Sequence, residues 1–217
     1  MFTGIIQKMG RVKQINNQGE SYKLTVTVDD FLDTVSIGDS IATNGVCLTV
    51  TRKSNNEFTA DVMPTTYRKS TFSDLNIGSL VNLEKSMRIT DGFDGHIVTG
   101  HIDSIGKITK IKQDYNAILI RIEPPQETLK YFIPEGSVAI DGISLTIAEL
   151  RDKDFTVSII PHTREWTTLK EKTVGSSVNI EGDVLGKYVE RLMQFNNKES
   201  SKKSSISKNF LKDNGFM

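Results

Sequence analysis

A single cysteine, Cys47, stands in a chain of 217 residues, so neither an internal disulfide framework nor a multi-cysteine zinc site can form. Histidine is nearly as scarce. With only His96, His101 and His162, a histidine-built metal cluster has little support, and no metal site is expected. Neither charge is in excess, because 27 Lys and Arg balance 27 Asp and Glu. The chain as a whole therefore lacks the basic footprint of a nucleic-acid or anionic-lipid binder, although its last segment is locally basic. No run approaches the roughly 18 consecutive apolar residues of a membrane span. The opening MFTGIIQKMGRV has neither the charged start nor the long apolar stretch of a secretory leader, so the expected location is the cytoplasm. What remains is the composition of a soluble globular protein, 37% hydrophobic and 25% charged, unlike a disordered or membrane chain.

The chain repeats itself. SIATNGVCLTV (residues 40–50) aligns with SVAIDGISLTI (137–147), FTADVMPTTYRKST (58–71) with FTVSIIPHTREWTT (155–168), and IGSLVNLE (77–84) with VGSSVNIE (174–181), all at an offset of 97. TGIIQKMGRVKQI (3–15) aligns with TGHIDSIGKITKI (99–111) at 96, a loop-length difference of one residue. Solenoid repeats run at about 20–50 residues, so this period is that of a whole domain. Two modules follow, 1–96 and 97–193, with a basic tail and terminal segment over 194–217.

Within each module the local signals are those of strands. SYKLTVTV, EFTADV, SLVNLE, NAILIRIE and DFTVSII alternate polar and apolar residues and are rich in β-branched side chains. Breaks carry Asn, Gly and Asp, as in INNQGE, SIGDS, SNNE and RDKD. The expected fold class is all-β, with two tandem small barrels, since closure removes the exposed edges of a sandwich. Short helices are expected at DDFLDTV and PQETLKYF, whereas MPTT and IPHT read as strand ends at a proline. LGKYVERLMQF predicts a C-terminal helix with Leu185, Val189, Leu192 and Met193 on one face and Glu190 and Arg191 opposite. The Lys/Ser-rich stretch 196–208 reads as a tether, and the final FLKDNGFM is apolar enough to dock.

Two like modules imply two like sites, and the mismatches between them locate where the chemistry differs. Cys47 stands opposite Ser144, Asn44 opposite Asp141, Thr65 opposite His162 and Ile5 opposite His101, on a shared frame that includes Thr49/Thr146, Gly45/Gly142 and Pro64/Pro161. Each has an ordinary reading beside the functional one. Cys47 in an apolar strand is also what an inert core thiol looks like. His101 suits proton transfer near neutral pH but also a structural hydrogen bond. Ser144 and Thr146 share one side of their strand, facing either solvent or a ligand. No phosphate loop, dinucleotide fingerprint or Ser-His-Asp spacing is present.

Seven segments in order, MFTGII, NGVCLTV, MPTTYRKS, GHIVTGHID, DGISLTI, IPHT and VNIEGDVLGKYVERL, resemble the riboflavin synthase family from Met1 to about Leu192, with a further touch in FLKDNGF. The resemblance implies two six-stranded Greek-key barrels with a short C-terminal α-helix, each barrel holding one 6,7-dimethyl-8-ribityllumazine. It implies a homotrimer joined through the helix, with the active site between the first barrel of one chain and the second of another. It implies no metal or redox cofactor, and it leaves open residence inside a lumazine synthase capsid.

Carried over by position, the first pocket would use Gly4, Ile5 and Ile6, then Cys47, Leu48 and Thr49, then Asp61, Val62, Met63, Pro64, Thr65 and Thr66. The second would use Gly100, His101 and Ile102, then Ser144, Leu145 and Thr146, then Ile160, Pro161, His162, Thr163, Arg164 and Glu165. The expected catalytic set is His101, Cys47, Ser144, Phe2, Ser40 and Asp183, with His101 the leading proton-transfer group. Glu135 departs from family members that carry Lys there, and it is left out of the site. The competing readings are a non-catalytic lumazine-carrying antenna protein and a flavin-binding reductase domain, the latter lacking any nicotinamide partner domain.

Overall fold

Alternation sends every second side chain of each strand inward, and in each copy six strands close on themselves. The computed structural model describes residues 1–17, 22–200, 212 and 214–216. The first copy forms β1 (Lys8–Asn17), β2 (Tyr22–Thr27), β3 (Ser40–Thr43), β4 (Val46–Lys53), β5 (Glu57–Val62) and β6 (Leu80–Lys85). The second forms β7 (Ser104–Asp114), β8 (Ala117–Glu123), β9 (Ser137–Ile140), β10 (Ile143–Leu150), β11 (Phe155–Ile159) and β12 (Ser177–Gly182). Around the first barrel the order is β1-β2-β5-β4-β3-β6, and the second closes in the equivalent order, both wholly antiparallel. This is the expected pair of Greek-key barrels.

Even the irregularities are duplicated. β1 shifts register between Val12 and Gln14 and β7 between Ile108 and Lys110, while β4 shifts between Val50 and Arg52 and β10 between Ile147 and Glu149. Such bulges bend and twist a strand, which a six-stranded closure requires. The first core gathers Leu24, Val26, Phe58 and Leu83, the second Ile108, Ile122, Phe155 and Ile180, each essentially without solvent contact.

The helices differ from expectation in three places. DDFLDTV forms bends and turns rather than a helix, because Asp30 adopts a left-handed φ of 51° while Phe31, Leu32 and Val35 still bury in the first core. PQETLKYF shortens to a single turn, α2 (Gln126–Leu129). MPTT and IPHT do end strands, but each proline also starts a helix, α1 (Pro64–Lys69) and α3 (Pro161–Glu165). Proline at a first helical position loses no hydrogen bond and has the required φ. The last helix, α4 (Val184–Ser200), begins and periodically repeats as expected but continues five residues into the anticipated tether. The rest of that stretch and most of FLKDNGFM lie outside the described residues.

Both barrels fall within one compact unit, Met1–Val184. They meet along a pseudo-twofold seam built from the two Asx-Gly hairpins. Asn44-Gly45 and Asp141-Gly142 all have positive φ, as two-residue turns of this hand demand. A Cβ on Gly45 would lie 2.7 Å from the amide nitrogen of Gly142, so the hairpins touch backbone to backbone. Asn82 on β6 donates through Nδ2 to the Asp141 carbonyl (2.9 Å), and Asn179 on β12 donates to the Asn44 carbonyl (2.9 Å). Their Oδ1 atoms accept from the amides of Thr168 (2.8 Å) and Thr71 (2.7 Å). Both asparagines are fully buried. The symmetry breaks at Asp141, which also pairs with Lys172 (2.9 Å), whereas Asn44 carries no charge. Glu135 takes the place of Gly38 of the first copy in the left-handed region, with φ of 62° against 95°, and is exposed in its turn.

Candidate active site

On β4, Leu48 points into the first core while Cys47 and Thr49 face out, Cys47 half-buried and Thr49 exposed. β10 repeats this with Leu145 inside, Ser144 half-buried and Thr146 exposed. The paired mismatch therefore lies on the outer wall of each barrel. Val62, Leu48 and Leu145 are buried, so their side chains serve the cores and only their backbone can meet a ligand.

Two backbone straps cover these walls, and they cross. Gly100 of Gly100-His101-Ile102 accepts a hydrogen bond from the Cys47 amide (2.9 Å), and Ile102 packs on the first core. Gly4 of Gly4-Ile5-Ile6 accepts from the Ser144 amide (2.8 Å), and Ile6 packs on the second core. Each glycine has positive φ and presses on the residue it caps, since a Cβ would fall 2.5 Å from that of Cys47 and 2.7 Å from that of Ser144. This corrects the positional expectation, which grouped Gly4, Ile5 and Ile6 with Cys47 and Gly100, His101 and Ile102 with Ser144. Alignment of the copies pairs equivalent positions; it is blind to the exchange of straps between barrels.

The first cleft, of about 190 Å³, is lined by Cys47, Thr65, Thr66, Gly100, His101 and Ile102, with Val46, Lys69 and Ser70 completing it. His101 is exposed at its mouth. Met63 caps α1 and projects into solvent, Pro64 opens that helix, and exposed Asp61 pairs with Lys23 at 3.9 Å. On the second wall, Ile160 and Pro161 open α3, His162 stacks against the exposed ring of Trp166 (6.0 Å), and the Thr163 carbonyl accepts from Thr167 Oγ1 (2.7 Å). Arg164 and Glu165 continue that helix, Arg164 half-buried and Glu165 exposed.

A partner of Ser144 escaped the sequence reading. His96 Nδ1 lies 2.7 Å from Ser144 Oγ, and the imidazole is 7% exposed. Burial pushes its pKa below 6.5, partly opposed by the negative charge of Asp183. A neutral ring accepting the Ser144 proton, with a carboxylate nearby to stabilise the imidazolium that results, is an arrangement for proton transfer. Gly95 before it has no room for a side chain, since a Cβ would sit 1.9 Å from the Thr3 carbonyl oxygen. His96 falls in the joint ahead of the second copy, so comparison of the copies had nothing to set beside it.

Two expected catalytic residues lie elsewhere. Phe2 is wholly buried between the barrels with Ala42, Val98 and Ala139, exchanging backbone hydrogen bonds with Val98, and Cys47 packs on this cluster. It positions the wall and has no group to move a proton. Ser40 on β3 pairs with Thr49 and lines a different, larger groove of about 420 Å³ with Gln7, Asp39, Lys85 and Arg88. No group of three metal-ligating side chains occurs among the described residues.

A family profile described as the lumazine binding domain matches residues 3–86 and 99–183, one match per barrel. Crystal structures of LumP complexed with 6,7-dimethyl-8-(1'-D-ribityl)lumazine and with riboflavin superpose at TM-scores of 0.76 and 0.78, at 27% identity, covering 83% and 84% of this chain and 98% and 99% of theirs. The chain therefore belongs to the lumazine-binding domain family. Within that family, its full-length relatives include the riboflavin synthases of Actinobacillus pleuropneumoniae and Bacillus subtilis, 46% and 43% identical over 216 residues and over the whole of each chain.

Proposed function

We infer that this protein is a riboflavin synthase, a transferase that moves a four-carbon unit from one 6,7-dimethyl-8-ribityllumazine to another, yielding riboflavin and 5-amino-6-ribitylaminouracil. One observation carries the reading beyond ligand binding: full-length identity of 46% to such an enzyme, where likeness to LumP stops at 27%. The geometry agrees with a reaction between two identical molecules. One frame is built twice, but one wall presents a thiol and a mobile imidazole, the other a hydroxyl held by a buried imidazole. Identical substrates thus meet different proton donors and acceptors.

The chemistry asks little covalent work of the protein. The C7 methyl of the lumazine is acidic because its anion delocalises into the electron-poor ring system. Holding two rings together can supply about 7–11 kcal/mol, and placed acids and bases about 10²–10⁴-fold. In this reading the strap backbones and the Thr and Ser hydroxyls hold the ring edge. His96 with Ser144, and His101 beside Cys47, move the protons.

Assembly completes the site. A cleft of about 190 Å³ is smaller than the roughly 300–1,000 Å³ that encloses a small-molecule ligand, so a second wall has to close it. The bare apolar face of α4 supports association of copies, and we take the working unit to be a homotrimer in which unlike barrels of two chains face each other. No described helix is long and apolar enough to cross a membrane, and a small water-soluble substrate suits an enzyme of the cytoplasm.

Incubation of the purified protein with the lumazine alone tests this. Riboflavin should accumulate to half the lumazine consumed. A stable fluorescent complex without turnover would identify a carrier instead.

A further inference from the structure

Two buried carboxylates have no part in the chemistry above. Glu84 on β6 and Glu181 on β12 are 3% and 1% exposed, in equivalent positions of the two barrels. Neither touches a cation. Glu84 Oε1 accepts from the amide (2.6 Å) and the hydroxyl (2.8 Å) of Thr3, and its Oε2 accepts from the Gly4 amide (3.0 Å). Glu181 repeats this with the amide (2.7 Å) and hydroxyl (2.6 Å) of Thr99 and the amide of Gly100 (3.0 Å). Three donors on each carboxylate are what makes its burial tolerable. They also hold two consecutive strap residues in the geometry that leads into a left-handed glycine.

The outgoing side of each strap is the informative one. Gly4, held by the first barrel's Glu84, receives the amide of Ser144 on the second barrel. Gly100, held by the second barrel's Glu181, receives the amide of Cys47 on the first. We propose that Glu84 and Glu181 are positioning residues acting across the barrel boundary, each setting the reactive wall of the barrel to which it does not belong. Neither glycine can yield without displacing the residue it caps, given the 2.5–2.7 Å approaches of the missing Cβ atoms. A strap released by its carboxylate therefore frees Cys47 or Ser144, and the effect crosses the molecule.

The proposal rests on the riboflavin synthase reading only for its kinetic consequence, so its test uses a separate signal. Cys47 is the single thiol, and its labelling rate by an aromatic disulfide reagent reports on the first wall. Combining Cys47→Ser with Ser144→Cys moves the reporter to the second. A glutamine keeps the shape but turns an N–H donor toward a strap donor. Glu181→Gln should then speed labelling at position 47 on the order of tenfold and Glu84→Gln change it by less than about twofold, with the two exchanging roles for a thiol at 144. Should either glutamine variant fail to fold, Thr99→Val or Thr3→Val, each removing one donor, replaces it with the same expected direction. Equal acceleration of both thiols by one variant shows plain structural loosening and overturns the proposal, as does no acceleration. Wild-type protein that leaves lumazine unchanged would sink the enzymatic reading while the thiol result stands; normal turnover with no wall-specific labelling would sink the clamp alone.

Discussion

At the scale of single residues, the two walls differ in how firmly their polar groups are held. His101 sits exposed at the mouth of its cleft, whereas His96 is buried against Ser144. A free imidazole can follow a substrate; a buried one keeps one geometry and one protonation state. Because burial lowers the His96 pKa, the ring should remain a base to values below 6.5. The acid limb of the rate–pH profile that belongs to this wall should accordingly lie under 6.5, and a limb at or above that value would remove His96 from the reaction. Linkage runs the same way for stability. The unfolded chain protonates this histidine at its ordinary pKa and the folded one resists, so its contribution is present above 6.5 and is lost as pH falls through that value. In kinetics, His101→Ala should lower kcat by on the order of 10²-fold with a much smaller change in KM. Cys47→Ser should slow turnover moderately with an unchanged melting temperature, and wild-type rates there would return Cys47 to the role of an inert thiol.

At the scale of elements, the strand alternation was legible because a barrel wall imposes a period of two on whatever sequence builds it. EFTADV became β5 with no adjustment. The helices were less legible, since short ones depend on where their ends are tied. DDFLDTV had a helical apolar pattern, but Phe31, Leu32 and Val35 reach the core from a turn. Pro64 and Pro161 were readable as strand terminators and, equally, as helix openers. The seam between the barrels depends on Asn82 and Asn179, whose amides serve the opposite barrel. Asn179→Ala leaves the Asn44 carbonyl and the Thr71 amide buried without partners, and should cost about 1–3 kcal/mol per orphaned group. Chemical denaturation should show the loss with the fold otherwise retained; a change within 0.5 kcal/mol, about that of an ordinary surface substitution, would mean that water reaches the seam.

At the scale of the whole molecule, α4 carries Leu185, Val189, Leu192 and Met193 more than half exposed in the single chain. Uncovered apolar side chains at helical spacing lose free energy in water that a neighbouring copy would restore. Replacing Val189 and Leu192 together by Glu should convert the assembly to monomers in sedimentation. Turnover should fall with the trimer while lumazine still binds each barrel weakly. Monomers with full activity would place the entire reaction within one chain.

The duplication, the strand pattern and the positions where the copies differ were all determined by the sequence, because they are periodicities and pairings along one chain. The crossed straps, the buried His96–Ser144 contact and the carboxylates that hold each strap were decided by tertiary structure alone. Each joins segments about 50 to 80 residues apart through hydrogen bonds between different barrels. A linear comparison of like with like cannot see an exchange in which each copy completes the other.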